Sequence, residues 1–169
     1  MKIIVHDASV LIDLAESGLL EVWFGLGLKP VTTSLILREV NRRNQKSKLQ
    51  RFVDKGTLGV EPIGAEALAG VVHLLTNLPD RITIEDASAI FIAETRKAIL
   101  LTGDKGLRQC AEVRNIDVHG ILWVFDTLVS RGKVLPVSAA ERLEKLCAQG
   151  TSRLPKDECS LRIRKWRNR

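Results

Sequence analysis

Four carboxylates, Asp7, Glu39, Asp86 and Asp104, stand where an α/β chain can do chemistry. Two of them belong to the stretch ITIEDASAIFIAETRKAILLTGDKGLR, residues 82–108. It reads as a helix with an acid in its first turn, followed by a buried strand with a second acid just past its end. Thr83 caps the helix with Asp86 three residues on, and Ala87, Ile90, Phe91 and Ala93 follow at helical spacing. Ile99 to Thr102 is an apolar run too short for a helix and closed by Gly103. A helix in an α/β layer runs antiparallel to the strand it feeds, so Asp86 and Asp104 share the carboxyl edge of the sheet, where ligands bind. Asp7 leaves the end of a first strand, Lys2 to His6, and joins that edge if the two strands are parallel. Glu39 falls about 7 to 8 Å along a helix that starts at the end of the second strand, and its side chain can point back toward the helix start.

Like charges held a few ångströms apart raise one another's pKa, and a divalent cation relieves the conflict. All-oxygen ligands, with no usable histidine or cysteine cluster, point to Mg²⁺ or Mn²⁺ rather than zinc. Each acid also has a structural role open to it. Asp7 and Asp104 can be helix N-caps, Asp86 the partner of Thr83 in a capping box, and Glu39 a solvated helix residue. Ser9 and Thr102 are candidates to orient acids or water. Asp126, in the apolar helix ILWVFDTLV, is a candidate accessory acid, with capping or ion pairing as the alternative. His6, His73 and His119 are scattered among apolar neighbours and read as structural, and Trp23 and Trp123 read as core.

The elements that position these residues alternate. Lys2 to His6 is a strand apolar enough to be central in a parallel sheet. Helices follow at Ala8 to Ala15 and Leu19 to Phe24, then a strand at Pro30 to Thr33 and a helix with Ser34 as its N-cap. Arg42 to Lys55 continues as helix, Leu58 to Pro62 as a strand and Ala65 to Thr76 as helix. Beyond the central stretch come a helix at Lys105 to Arg114, a strand at Ile116 to His119 and a helix at Leu122 to Ser130. This alternation predicts a mainly parallel sheet with helices on both faces. From Pro136 the character changes. Ser138 with Glu141 reads as a capping box opening a helix to Gln149, and a last helix starts near Pro155. That helix carries the apolar stripe Cys159, Ile163, Trp166 and a cationic end, so it should dock on its own domain or in a homodimer rather than leave a Trp exposed.

Length and charge set the bounds. The 169 residues suit one domain with a sizeable core, and 45% apolar with 27% charged residues is ordinary for a globular chain. Three cysteines, Cys110, Cys147 and Cys159, support neither a disulfide framework nor a zinc ribbon. No membrane span or signal peptide is legible, which predicts a cytoplasmic protein. Of the net charge of +6, residues 151–169 hold +5, and residues 38–55 hold another +5, leaving the remaining residues at −4. Two basic patches on a slightly acidic body suit a partner with phosphates. With no tyrosine and 4% aromatics, strand recognition is expected through phosphates rather than base stacking.

The sequence resembles the PIN-domain nucleases over residues 1–134. The marks are Asp7 in IVHDASVLIDL, Glu39 in TTSLILREV, Asp86 in EDASAIFIA and Asp104 in LLTGDKGLR. The resemblance implies a three-layer α/β/α sandwich with a mainly parallel central sheet, followed by a basic C-terminal helical extension at residues 135–169. It implies Mg²⁺- or Mn²⁺-dependent hydrolysis of RNA, as in VapC-type toxins of toxin-antitoxin pairs, with an antitoxin protein as a possible partner. Asp7, Asp86 and Asp104 would hold the metal, with Glu39 ligating through water or positioning the nucleophile. Arg42, Arg43, Lys46 and Lys48 would hold the flanking RNA backbone. Many relatives carry another acid two residues after the fourth, where this chain has Gly106. The residues leave two rival readings. A catalytically silent nucleic-acid- or partner-binding module keeps the basic patches without turnover. A phosphoryl-transfer domain of the haloacid dehalogenase type expects a second Asp at the position of Ser9.

Overall fold

The computed structural model describes residues 2–40, 43–150 and 154–168, and at 43 and 44 the backbone alone. Its centre is β1 (Ile3–His6), whose Ile4, Val5 and His6 are all buried, as a parallel strand covered on both faces requires. On one side of it lie β2 (Lys29–Thr33) and β3 (Gly59–Glu61), and on the other β4 (Ile99–Leu101) and β5 (Val118–His119). The order is β3-β2-β1-β4-β5 and every pairing is parallel. The chain thus builds outward from β1 in one direction, then returns to build from β4 in the other. That reversal puts a topological switch point between the carboxyl ends of β1 and β4, the crevice where such sheets bind ligands. Asp7 follows one of these strands and Asp104 the other.

Helices cover both faces, giving the three-layer sandwich. One layer holds α3 (Ser34–Glu39), α5 (Ala65–Leu75) and α6 (Ile84–Arg96), with α6 lying against β1, β2 and β4. The other holds α1 (Ala8–Glu16), α2 (Leu20–Phe24) and α4 (Arg43–Asp54), with α7 (Lys105–Val113) beside β5 and α8 (Ile121–Ser130) packed on α1 and α2. Among the described residues, no helix is long and apolar enough to cross a membrane.

Two local expectations are corrected. Thr33, not Ser34, caps α3: it ends β2 in extended geometry and its side chain accepts from Ile36 N at 3.1 Å. Ser34 instead accepts from Ile63 N at 3.2 Å and fastens the chain after β3. The capping box of Ser138 and Glu141 does not form, because α9 (Pro136–Ala148) begins two residues earlier. Pro136 at its first position has φ preset and no N–H to satisfy, so Ser138 lies inside the first turn and accepts from Arg142 Nε at 3.4 Å.

The last helix, α10 (Lys156–Arg167), packs along α9. Its stripe faces inward: Cys159 and Trp166 are buried, and Trp166 stacks on Phe125 of α8 with centroids 6.1 Å apart. The stripe is therefore covered by its own chain, the first of the two outcomes expected for it.

Candidate active site

Asp7 is 5% exposed and does two jobs at once. Its Oδ1 accepts from Ala8 N at 2.7 Å, capping α1, while Oδ2 accepts from Ser9 Oγ at 2.7 Å and Thr102 Oγ1 at 2.9 Å. Those two hydroxyls have each given their proton to Asp7, so their lone pairs accept backbone N–H groups: Gly103 on Ser9 at 2.9 Å and Asp104 on Thr102 at 3.0 Å. The network ties the end of β1 to the end of β4. Burial pushes the pKa of Asp7 up, and these bonds pull part of the way back.

Asp104 caps α7, its Oδ1 accepting from Leu107 N at 2.7 Å. Asp86 completes the capping box of α6, its Oδ2 accepting from Thr83 N at 2.9 Å. Partial burial raises the pKa of Asp86, and the charges of Asp7 and Asp104 add to the rise. Glu39 ends α3, and its pKa is raised by partial burial first and then by the charges of Asp7, Asp86 and Glu85. Four segments thus bring acids into one electrostatic neighbourhood, and among the described residues none of the four is in an ion pair.

The donor chemistry suits a hard divalent cation, but the geometry stops short of a ready-made centre. Among the described residues no three His, Cys, Asp or Glu side chains stand so that they could hold a metal ion. Each aspartate spends one carboxylate oxygen or more on its cap, and like charges without a cation oppose closer approach.

Three features were not legible in the sequence. Glu85 adds a fifth acid, beside Asp86 in the first turn of α6. Arg81 occupies the space over Gly106: a Cβ there would lie 2.9 Å from Arg81 Nε and 3.1 Å from Asp104 Oδ1. A cation side chain thus fills the place where many relatives carry another acid. Trp123 is only partly buried, and His119 stacks on it with centroids 4.3 Å apart. A near-neighbour signal existed only for Glu85; the other two depend on contacts distant in sequence.

The remaining candidates lie elsewhere. Asp126 Oδ2 receives Arg162 Nε at 3.0 Å and Nη2 at 2.9 Å, the ion-pairing alternative for that residue. Lys48 donates to the carbonyl of Ala15 at 3.5 Å, near the far end of α1 and about 12 Å along that helix from its start. Lys46 is exposed on α4. Arg42 and the side chain of Arg43 lie outside the described residues.

A family model described as a PIN domain matches residues 3–168, and the chain belongs to this family. The match runs through α9 and α10. Endoribonuclease Nob1 of Methanocaldococcus jannaschii is 27% identical over 125 residues, which are 72% of this chain and 57% of that protein. The chain therefore spans little more than half of that relative. Among solved structures, PAE2754 from Pyrobaculum aerophilum aligns with a TM-score of 0.52 at 20% identity, over 77% of this chain and 96% of the other. VapBC2 from Rickettsia felis, solved with a DNA fragment from its promoter, aligns with a TM-score of 0.51 at 16% identity, over 70% and 98%. At such identities the two structures speak for the fold alone.

Proposed function

We propose that this PIN domain is a divalent-metal-dependent endoribonuclease whose site is the acidic edge at the β1/β4 switch point. The observation that carries the reading is the electrostatic strain there: burial raises the pKa values of Asp7, Glu39 and Asp86, the charges of Asp7 and Asp86 add to the rise at Glu39, those of Asp7 and Asp104 add to it at Asp86, and among the described residues no ion pair relieves them. Capping needs one acid per helix and does not need the caps of separate helices gathered into one field. The likeness to a protein named as an endoribonuclease supports the substrate class.

Asp7, Asp86 and Asp104 would hold Mg²⁺ or Mn²⁺, which supplies Lewis acidity toward a phosphate and a water of lowered pKa. Ser9 and Thr102 favour the ionised form of the Asp7 carboxylate against its burial, and fix it, by donating to its Oδ2. Glu39, on the exposed side of the group, positions the water. Arg81 and Lys105 flank Asp104 in a hollow of about 440 Å³ and suit the phosphate oxygens. Arg42, Arg43, Lys46 and Lys48 are the proposed contacts to the flanking RNA backbone. A toxin role with an antitoxin partner is the corresponding proposal from the resemblance of the sequence to the VapC-type toxins.

One observation favours a second reading, a catalytically silent nucleic-acid- or partner-binding module: among the described residues no three acids stand ready to hold an ion. Incubation of the purified protein with mixed RNAs separates the two. Cleavage that requires Mn²⁺ or Mg²⁺ and stops with EDTA supports the nuclease; RNA binding without turnover supports the silent module.

A further inference from the structure

A cleft of about 560 Å³ opens beside the acidic edge, from Thr102 and Gly103 past Lys105 to the start of α8, and α10 forms its far wall. It has the volume of a small-ligand site. Its charges are uneven. Arg162 on α10 is neutralised by Asp126 and Glu158, at 2.9 and 3.2 Å. Arg108 is held at the side by the carbonyls of Val118 and Thr102, at 3.1 and 3.3 Å, with Glu112 at 3.7 Å. Lys105, at the mouth, is in no ion pair among the described residues. It is shared with the hollow that Asp104 lines.

The lining also holds two rings. His119 and Trp123 stack at 4.3 Å with their planes 10° apart. The pair is held in place: Trp123 meets the buried Trp23 edge-on at 5.8 Å, and Asp117 Oδ1 lies 2.9 Å from His119 Nε2. The His119 side chain remains 29% exposed, so this is a platform and not part of the core. Gly120 also lines the cleft, where a Cβ would stand 3.3 Å from Arg108 Nη2.

We infer that this cleft seats one nucleotide of a single-stranded RNA, with its phosphate at Lys105 and its base against the His119–Trp123 platform. The inference rests on the nuclease reading for its substrate class. A cation shared with the hollow of Asp104 and an aromatic pair in the same cleft suit the phosphate and the base of one nucleotide, and stacking on a ring is tolerant of sequence. The same arrangement gives α10 a role: its Glu158 and Arg162, with Leu154 and Pro155 just before it, line the cleft.

Binding of a short fluorescein-labelled single-stranded RNA, followed by anisotropy in EDTA, tests the seat without cleavage. His119→Ala should weaken binding between about fivefold and about 150-fold, the range for loss of one base stack. His119→Phe, which keeps a ring, should restore most of it. Lys105→Ala should lower the log-log salt slope by about 0.7, the value for one phosphate on a single strand. Circular dichroism checks that each variant is folded. Loss in His119→Ala with rescue by His119→Phe supports the seat whether or not the wild type cleaves RNA with Mn²⁺. Variants that bind like the wild type overturn the seat, and if the wild type still cleaves, the nuclease reading survives alone. Absence of RNA binding by the wild type also overturns it.

Discussion

Trp166→Ala is the perturbation that asks most of the C-terminal helices. Trp166 is 2% exposed and stacks on Phe125 at 6.1 Å. A buried Trp removes about 150 to 250 Å² from water, which at about 25 cal/mol per Å² is worth about 4 to 6 kcal/mol. Truncations of this kind cost about 3 to 5 kcal/mol. What remains to hold α10 is weaker. Arg162 pairs with Asp126 and Glu158, and Arg167 with Glu144, all partly exposed contacts worth about 0.2 to 1 kcal/mol each. Packing outweighs these pairs, so α10 should release, and a 12-residue helix is marginal alone. A urea titration of the variant should show a loss of about 3 to 5 kcal/mol if α10 and the body unfold together. If α10 leaves first, the global loss is smaller, and amide exchange in residues 156–167 becomes fast. A loss under about 1 kcal/mol with α10 amides still protected would refute the account of how the extension is held.

Other outcomes follow from the buried titratable groups. His6 donates from Nδ1 to Val31 O at 3.2 Å and accepts at Nε2 from Trp23 Nε1 at 2.8 Å, so its neutral form is enclosed, and burial lowers its pKa from 6.5 to about 4. A lowered folded pKa means that the unfolded chain takes the proton first. His6 therefore costs nothing above pH 6.5 and removes about 3 kcal/mol of stability as pH falls to about 4. Urea midpoints of wild type and His6→Asn across that range should diverge in slope, and parallel slopes would contradict the assignment. The raised pKa values of Asp7, Glu39 and Asp86 act oppositely, lowering stability above those values and relieving it as pH falls through them. Millimolar Mn²⁺ should therefore raise the Tm of the wild type, by about 2.7 kcal/mol of stability at a hundredfold excess over Kd. Asp7→Asn/Asp104→Asn should respond less, and an equal response would count against a shared ion. Burial and the neighbouring Cys147 push the Cys159 thiol up to about 12. A thiol reagent followed by mass spectrometry should label Cys147 in the folded protein and spare Cys159; early labelling of Cys159 would show that α10 is not docked.

The acids were legible because each belongs to a local pattern. Asp7 and Asp104 follow apolar strands, and Asp86 sits three residues after Thr83, so strand, cap and helix could be read in windows of a few residues. The shared edge then followed from the rule that a helix returns antiparallel to its strand. The order β3-β2-β1-β4-β5 was not legible, because strand pairing joins residues about a hundred positions apart, as in Val5 with Leu100. Ser138 misled because two start signals compete within three residues, and Pro136 prevails by presetting φ. The His119–Trp123 platform escaped because a periodicity argument places both on apolar elements without saying which ring meets solvent. The same holds for Arg81 over Gly106, a contact that only the turn between α5 and α6 creates. The gathering of acids was thus readable, while the cations and rings around it required the folded chain.

The most direct test is the rate of RNA cleavage by wild type and by Asp104→Asn, both shown folded by circular dichroism, with and without Mn²⁺. Asn keeps an oxygen for the cap on Leu107 N while removing the charge. A metal-dependent rate in the wild type that is lost in Asp104→Asn is the predicted result. Cleavage by Asp104→Asn at the wild-type rate, or no metal-dependent cleavage by either protein, would contradict the claim that the acidic edge is a nuclease site.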